Sequence, residues 1–157
     1  DEERRRWIEI VVFEAGDQVP VLASVTCGHA LPAVELSLFA QQAGASGVMA
    51  MPPHVQHPDG EGCYEYYRAL SSSLRIPVMI QNYVGPIGTP MSPELMARMC
   101  RELPYVEYIK EETLPSSRMV SATLAAAGKH CKGVFGGQAG QYLLDDVLAV
   151  ADQLARA

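Results

Sequence analysis

Lys110 closes the apolar run Tyr105-Val106-Glu107-Tyr108-Ile109-Lys110 and stands directly before Glu111-Glu112. At the end of a β-run, where the chain turns into a polar loop, an amine is placed for carbonyl chemistry. Once unprotonated, it attacks a ketone and forms a Schiff base, which takes desolvation or a neighbouring cation. Glu111 and Glu112 push the other way if they lie close. On the local pattern alone, the plainer reading is a strand-end lysine reaching its charge into water. The rest of the chain shifts that balance.

Other groups offer less. His54-x-x-His57 invites a metal, but it sits in a Pro/Gly-rich loop with no third ligand nearby in sequence. Catalytic zinc needs three protein ligands and structural zinc four, so no metal is expected. Gly136-Gly137-Gln138-Ala139-Gly140 follows an apolar run. It reads equally as a cradle of backbone N–H groups for an anion or as a tight strand-to-helix turn. Cys27 and His29 share a loop without a visible base–nucleophile pairing and are read as loop residues. Tyr64, Tyr66 and Tyr67, in one helical stretch, are read as core and interface packing.

The elements that must position these groups alternate. A helix over Arg4–Ala15 carries Trp7, Ile8, Val11 and Val12 at helical spacing. Strands are expected at Val19–Val25, Gly47–Met51, Pro77–Gln81, Tyr105–Lys110 and Gly133–Phe135. Between them lie helices at Pro32–Ala43 (with Val34, Leu38 and Phe39 on one face), Cys63–Leu74, Ser92–Glu102 and Arg118–Ala127, and a last helix runs to the C-terminus. Ser92-Pro93-Glu94 is a strong helix start: a capping hydroxyl, proline at the first helical position and an acid at the positive dipole end. Strands alternating with helices at this spacing build a parallel sheet, either open and doubly wound or part of a (β/α)8 barrel. In both, the loops after the strands carry the chemistry. No G-x-G-x-x-G follows a strand and no Walker lysine motif occurs, so the barrel fragment is the better reading. All of residues 1–157 are taken as one such domain.

Composition bounds the partners. The chain has 157 residues, a net charge of -6 and 48% apolar residues, which argues for a soluble, folded unit. The acidic balance disfavours nucleic acid, since phosphate neutralisation needs surplus Lys and Arg. Arg4-Arg5-Arg6 is the one basic cluster, and behind Asp1-Glu2-Glu3 it reads as a solvated helix start. The four cysteines lie far apart without a C-x-x-C, which points to reduced thiols in a cytoplasmic protein. No run is long and apolar enough for a membrane span, and no signal peptide is visible.

Three stretches together resemble the dihydrodipicolinate synthase / N-acetylneuraminate lyase family of Schiff-base aldolases. They are Val48-Met49-Ala50-Met51-Pro52-Pro53-His54, Pro77-Val78-Met79-Ile80-Gln81-Asn82 and Tyr108-Ile109-Lys110-Glu111. Val19-Pro20-Val21-Leu22-Ala23 resembles that family's third barrel strand and Phe135-Gly136-Gly137 its seventh; the likeness runs to about Asp146. The resemblance implies a partial TIM barrel of strands three to seven. It implies an imine between Lys110 and pyruvate or another 2-oxo acid, no diffusible cofactor, and a homo-oligomer. It further implies Gln81 orienting substrate or water, Gly136 and Gly137 admitting a carboxylate to the backbone, and Asn82 and His54 lining the substrate.

The departures are specific. Where the family has Tyr-Asn after its fifth strand, this chain has Gln81-Asn82, and an amide cannot relay protons at neutral pH. Tyr83 is adjacent, but strand alternation is expected to aim it differently. The arginine of dihydrodipicolinate synthases is missing from Tyr83-Val84-Gly85-Pro86-Ile87-Gly88, and His54-Val55 stands where a tyrosine pair is common. A relative acting on another 2-oxo acid is therefore expected rather than dihydrodipicolinate synthesis itself. The Gly-Thr-Thr-Gly-Glu loop that grips the substrate carboxylate is absent, and five strands cannot close an eight-stranded barrel. These residues are thus expected to be part of a larger protein. The rival readings are an inactive fragment or scaffold that assembles with other segments, and a phosphate-binding barrel using Gly136–Gly140.

Overall fold

Short β-branched and apolar runs pair into a parallel sheet, and the helices between them bury one of its faces. The computed structural model describes residues 2–85 and 88–155; Pro86 and Ile87, within the loop read after Asn82, and the last two residues of the expected C-terminal helix lie outside the described residues. In chain order the elements are α1 (Glu2–Ala15), β1 (Leu22–Ser24), α2 (Ala30–Gln42), β2 (Gly47–Ala50), α3 (Gly60–Ser73), β3 (Val78–Tyr83), α4 (Pro93–Glu102), β4 (Val106–Glu112), α5 (Ser116–Ala127), β5 (Gly133–Gly136) and α6 (Leu143–Ala155). The sheet order is β1-β2-β3-β4-β5, and every described pairing is parallel. A doubly wound sheet reverses its order at a switch point. This one does not, which is the progression of a barrel wall.

One sheet face is dry. Val48 and Ala50 alternate along β2 and Val78 and Ile80 along β3. With Val106 and Ile109 of β4, which a one-residue register shift brings to the same face, they are almost fully buried against Leu36 and Ala40 of α2, Tyr67 and Leu70 of α3, and Met96 and Met99 of α4. Tyr67 is itself fully buried, and its hydroxyl donates to the Ala50 carbonyl at 2.6 Å, tying α3 to β2. The opposite face carries Leu22, Met49, Gln81, Lys110 and Phe135, which the helices leave uncovered.

Local chemistry sets the helix starts. Ser92 accepts the Leu95 N–H at 3.2 Å with Pro93 at the first helical position, and Asp59 accepts the Gly62 N–H at 2.8 Å. Several expectations shift. β1 is only Leu22–Ser24, because Pro20 has no N–H to give a ladder. On α1 only Ile8 and Val12 meet the core, while Trp7 and Val11 face outward. The buried stripe of α2 is Ala33, Leu36, Ser37 and Ala40; Val34 and Leu38 flank it, and Phe39 lies under the Arg5 guanidinium at 4.7 Å. The basic cluster is tied to its own chain, with Arg4 donating to the Ser24 carbonyl at 3.0 Å and Arg6 pairing with Glu9.

Candidate active site

The largest correction concerns the end of β4. The strand does not stop at Lys110 but continues through Glu111 and Glu112. Because successive strand residues face opposite sides, the two glutamates part company. Glu111 points into the helix layer, fully buried. Its carboxylate accepts from Asn82 Nδ2 at 3.1 Å, from the Thr113 N–H at 3.0 Å, from the Thr113 hydroxyl, and from the Thr123 hydroxyl at 3.4 Å. Glu112 shares the uncovered face with Lys110.

β3 and β4 pair so that Gln81 stands beside Lys110 and Tyr83 beside Glu112. Lys110 Nζ lies 3.4 Å from Glu112 Oε1, and Gln81 Nε2 donates to Glu112 Oε2 at 2.6 Å. The Gln138 backbone N–H reaches Oε1 at 3.4 Å, and the Gln138 side-chain amide donates to the Glu112 carbonyl at 3.2 Å. One carboxylate thus gathers an amine, an amide and a backbone donor at the C-terminal rim of the sheet. Sequence reading passed Glu112 over because it placed both glutamates in a loop; carrying the two-residue period past Lys110 would have found it.

Gly137 and Gly136 each make room for a side chain of this chain. A Cβ on Gly137 would come within 1.9 Å of Glu112 Cγ, and one on Gly136 within 2.4 Å of Asp146 Oδ2. Asp146 is buried and accepts the Ser116 hydroxyl at 3.0 Å. Asn82 faces the helix layer, where its Nδ2 also donates to the Met91 carbonyl at 3.1 Å and its Oδ1 accepts the Met91 N–H at 2.8 Å. It therefore pins the loop after β3 and does not share the face of Lys110.

His54 follows β2 half-buried, with a buried Nδ1 that has no hydrogen-bond partner among the described residues. His57 Nδ1 sits 3.4 Å from the Thr89 hydroxyl. Tyr83 differs from expectation: β3 extends to it, so it lies on the face of Gln81, one pleat further on. Its ring lies against Gly85, where an added Cβ would come within 2.0 Å of the Tyr83 hydroxyl. No described helix is long and apolar enough to cross a membrane.

Residues 1–146 match the Dihydrodipicolinate synthetase family. The 4-hydroxy-tetrahydrodipicolinate synthase of Nitratidesulfovibrio vulgaris (strain Miyazaki F) is 36% identical over 112 residues, covering 71% of this chain and 38% of that protein. The enzyme of the same name from Brucella abortus is 32% identical over 128 residues, or 82% of this chain and 43% of that one. The chloride-inhibited dihydrodipicolinate synthase from Acinetobacter baumannii, solved in complex with pyruvate, superposes with a TM-score of 0.87 at 24% identity, over 94% of this chain and 50% of that one. At that identity the likeness is one of fold: the five β/α units are part of a (β/α)8 barrel. The chain spans about two-fifths of the length of these curated relatives.

Proposed function

The chain belongs to the dihydrodipicolinate synthetase family, and from that premise we propose that, within a complete barrel, Lys110 forms a Schiff base with pyruvate or another 2-oxo acid. The activity is that of a lyase or aldolase. One observation carries the reading: Lys110 stands on the uncovered face near the C-terminal end of β4, beside Gln81 of β3. That is the rim where barrel enzymes keep their chemistry.

The amine lone pair attacks C2 of the 2-oxo acid. Loss of the carbonyl oxygen as water leaves an iminium, which accepts electrons when a bond at C3 breaks or forms. Gln81 orients the groups around the amine; the family likeness assigns the Gly136-Gly137 backbone to the substrate carboxylate and His54 to the substrate lining, although Glu112 and Asp146 of this chain fill the space beside the two glycines. Asn82 serves the site indirectly, by holding the Met91 loop and Glu111 in place. The pyruvate complex of the Acinetobacter enzyme supports a 2-oxo acid as the partner. The family likeness and the four free thiols support a homo-oligomer in the cytoplasm.

Borohydride trapping of the complete natural protein with a panel of 2-oxo acids, read by mass spectrometry, tests the reading. A reduced adduct on Lys110, absent in Lys110→Ala, is the expected result. The exchange of tyrosine for Gln81 favours a second reading, a catalytically silent scaffold, and no adduct from a folded protein would favour it over the first.

A further inference from the structure

Imine formation moves protons as well as electrons, so the site needs a titratable group within hydrogen-bond reach of the amine. Gln81 cannot supply one. Of the oxygen-bearing side chains on strands β3 and β4 of the uncovered face, Tyr83 lies against Gly85 and Tyr108 faces Phe135, with ring centroids 6.1 Å apart. Glu112 remains, with Oε1 3.4 Å from Lys110 Nζ. Gln81 fixes the other oxygen at 2.6 Å, and the missing Cβ of Gly137 leaves space for the Glu112 stem. The carboxylate is therefore held in one orientation, with Oε1 toward the amine.

Resting on the Schiff-base reading of Lys110, we infer that Glu112 is the acid–base catalyst of this site. The ammonium of Lys110 gives one proton to the Glu112 carboxylate, leaving a neutral amine and a neutral acid. The amine attacks C2, the carbonyl π electrons move to oxygen, and a proton passes from nitrogen to that oxygen to give a carbinolamine. Protonated Glu112 then donates to the hydroxyl. The C2–O bond breaks, water leaves, the nitrogen lone pair closes the C=N bond, and Glu112 is again a carboxylate. That carboxylate removes a proton from C3. The C–H electrons form C=C, the iminium electrons return to nitrogen, and the product is an enamine beside protonated Glu112.

The test uses the complete natural protein with pyruvate and 2-oxobutyrate. Deuterium incorporation at C3 in D2O is followed by proton NMR beside borohydride trapping. The wild type is expected to give the Lys110 adduct and to exchange. Glu112→Gln keeps the shape of the side chain and is expected to slow exchange at least about 100-fold. Glu112→Ala is expected to regain part of the rate as sodium formate is added, a response that a merely structural ion pair does not give. Tyr83→Phe is expected to exchange at the wild-type rate. If Glu112→Gln does not fold, the formate response of Glu112→Ala decides.

Exchange in Glu112→Gln within about twofold of wild type overturns the assignment, measured against the loss general acid–base catalysis predicts. So does a Glu112→Ala variant indifferent to formate, or a loss carried by Tyr83→Phe instead. A folded wild type without an adduct from either acid overturns the Lys110 reading itself, and the role of Glu112 with it. An adduct in the wild type with normal exchange in Glu112→Gln removes Glu112 alone.

Discussion

Adjacent residues of β4 meet opposite environments because side chains alternate across a sheet. Glu111 is fully buried and gathers donors from Asn82, Thr113 and Thr123, whereas Glu112 stands beside Lys110. Glu111→Ala strands several buried donors at once, and the expected loss is about 3 kcal/mol or more. A urea titration reads it as a lowered midpoint, and an unchanged midpoint would show that water satisfies those donors. Cys63 offers a test of burial by titration. Burial pushes its thiol from the ordinary 9.0 up to about 11, with the Asp59 charge adding to the effect. The folded state therefore favours the protonated thiol: this contribution to stability is full below about pH 9 and fades as pH climbs toward 11. Alkylation at pH 8 should spare Cys63 in the native protein and modify it in urea, as peptide mass spectrometry would record. At this scale the local pattern left Lys110 a solvated strand-end residue, and the run Tyr108-Ile109-Lys110-Glu111, taken with the other family-like stretches, singled it out. Its carboxylate partner was not legible, because whether Glu112 is strand or loop depends on pairing with Tyr83 of β3, 29 residues away in sequence.

Elements with local chemical signals were the readable ones. The Ser92-Pro93-Glu94 start of α4 forms as its residue types dictate, and Ser92→Ala should cost about 1 kcal/mol of stability through the lost Leu95 N–H acceptor. A thermal melt with no measurable drop would mean that water replaces the cap. Tyr67→Phe tests a tertiary tie: it leaves the Ala50 carbonyl at the α3–β2 seam without its 2.6 Å donor, and about 1–2 kcal/mol should go with it in urea unfolding. Less legible were the faces. Trp7 and Val11 fit a helical stripe as well as Ile8 and Val12 do, and only packing against the core chooses between them. Strand ends were blurred for a related reason. Parallel pairing fixes them, so β1 shortens at Pro20 while β3 and β4 run on to Tyr83 and Glu112.

At the scale of the molecule, an uncovered sheet face and an exposed helix face stand out. Leu22 and Phe135 are 43% and 50% exposed on the sheet, and Leu144 and Leu148 are 78% and 68% exposed on α6. Apolar surface of this kind is usually covered by more protein, and strands β1 and β5 each present a free edge among the described residues. A polypeptide of these 157 residues alone should therefore bind a hydrophobic dye and sediment above its monomer mass of 17.0 kDa. A dye-silent monomer would contradict that. The strictly sequential strand order bears on how the chain assembles in time. Strands begin at residues 22, 47, 78, 106 and 133, and each after the first pairs with the strand made just before it. Among the described residues no strand waits for a distant partner, so loop-closure entropy stays low at each of these steps. As synthesis proceeds from the N-terminus, each β/α unit can dock on the last one formed. The wall that holds Lys110 can then grow outward in the order in which the ribosome releases it.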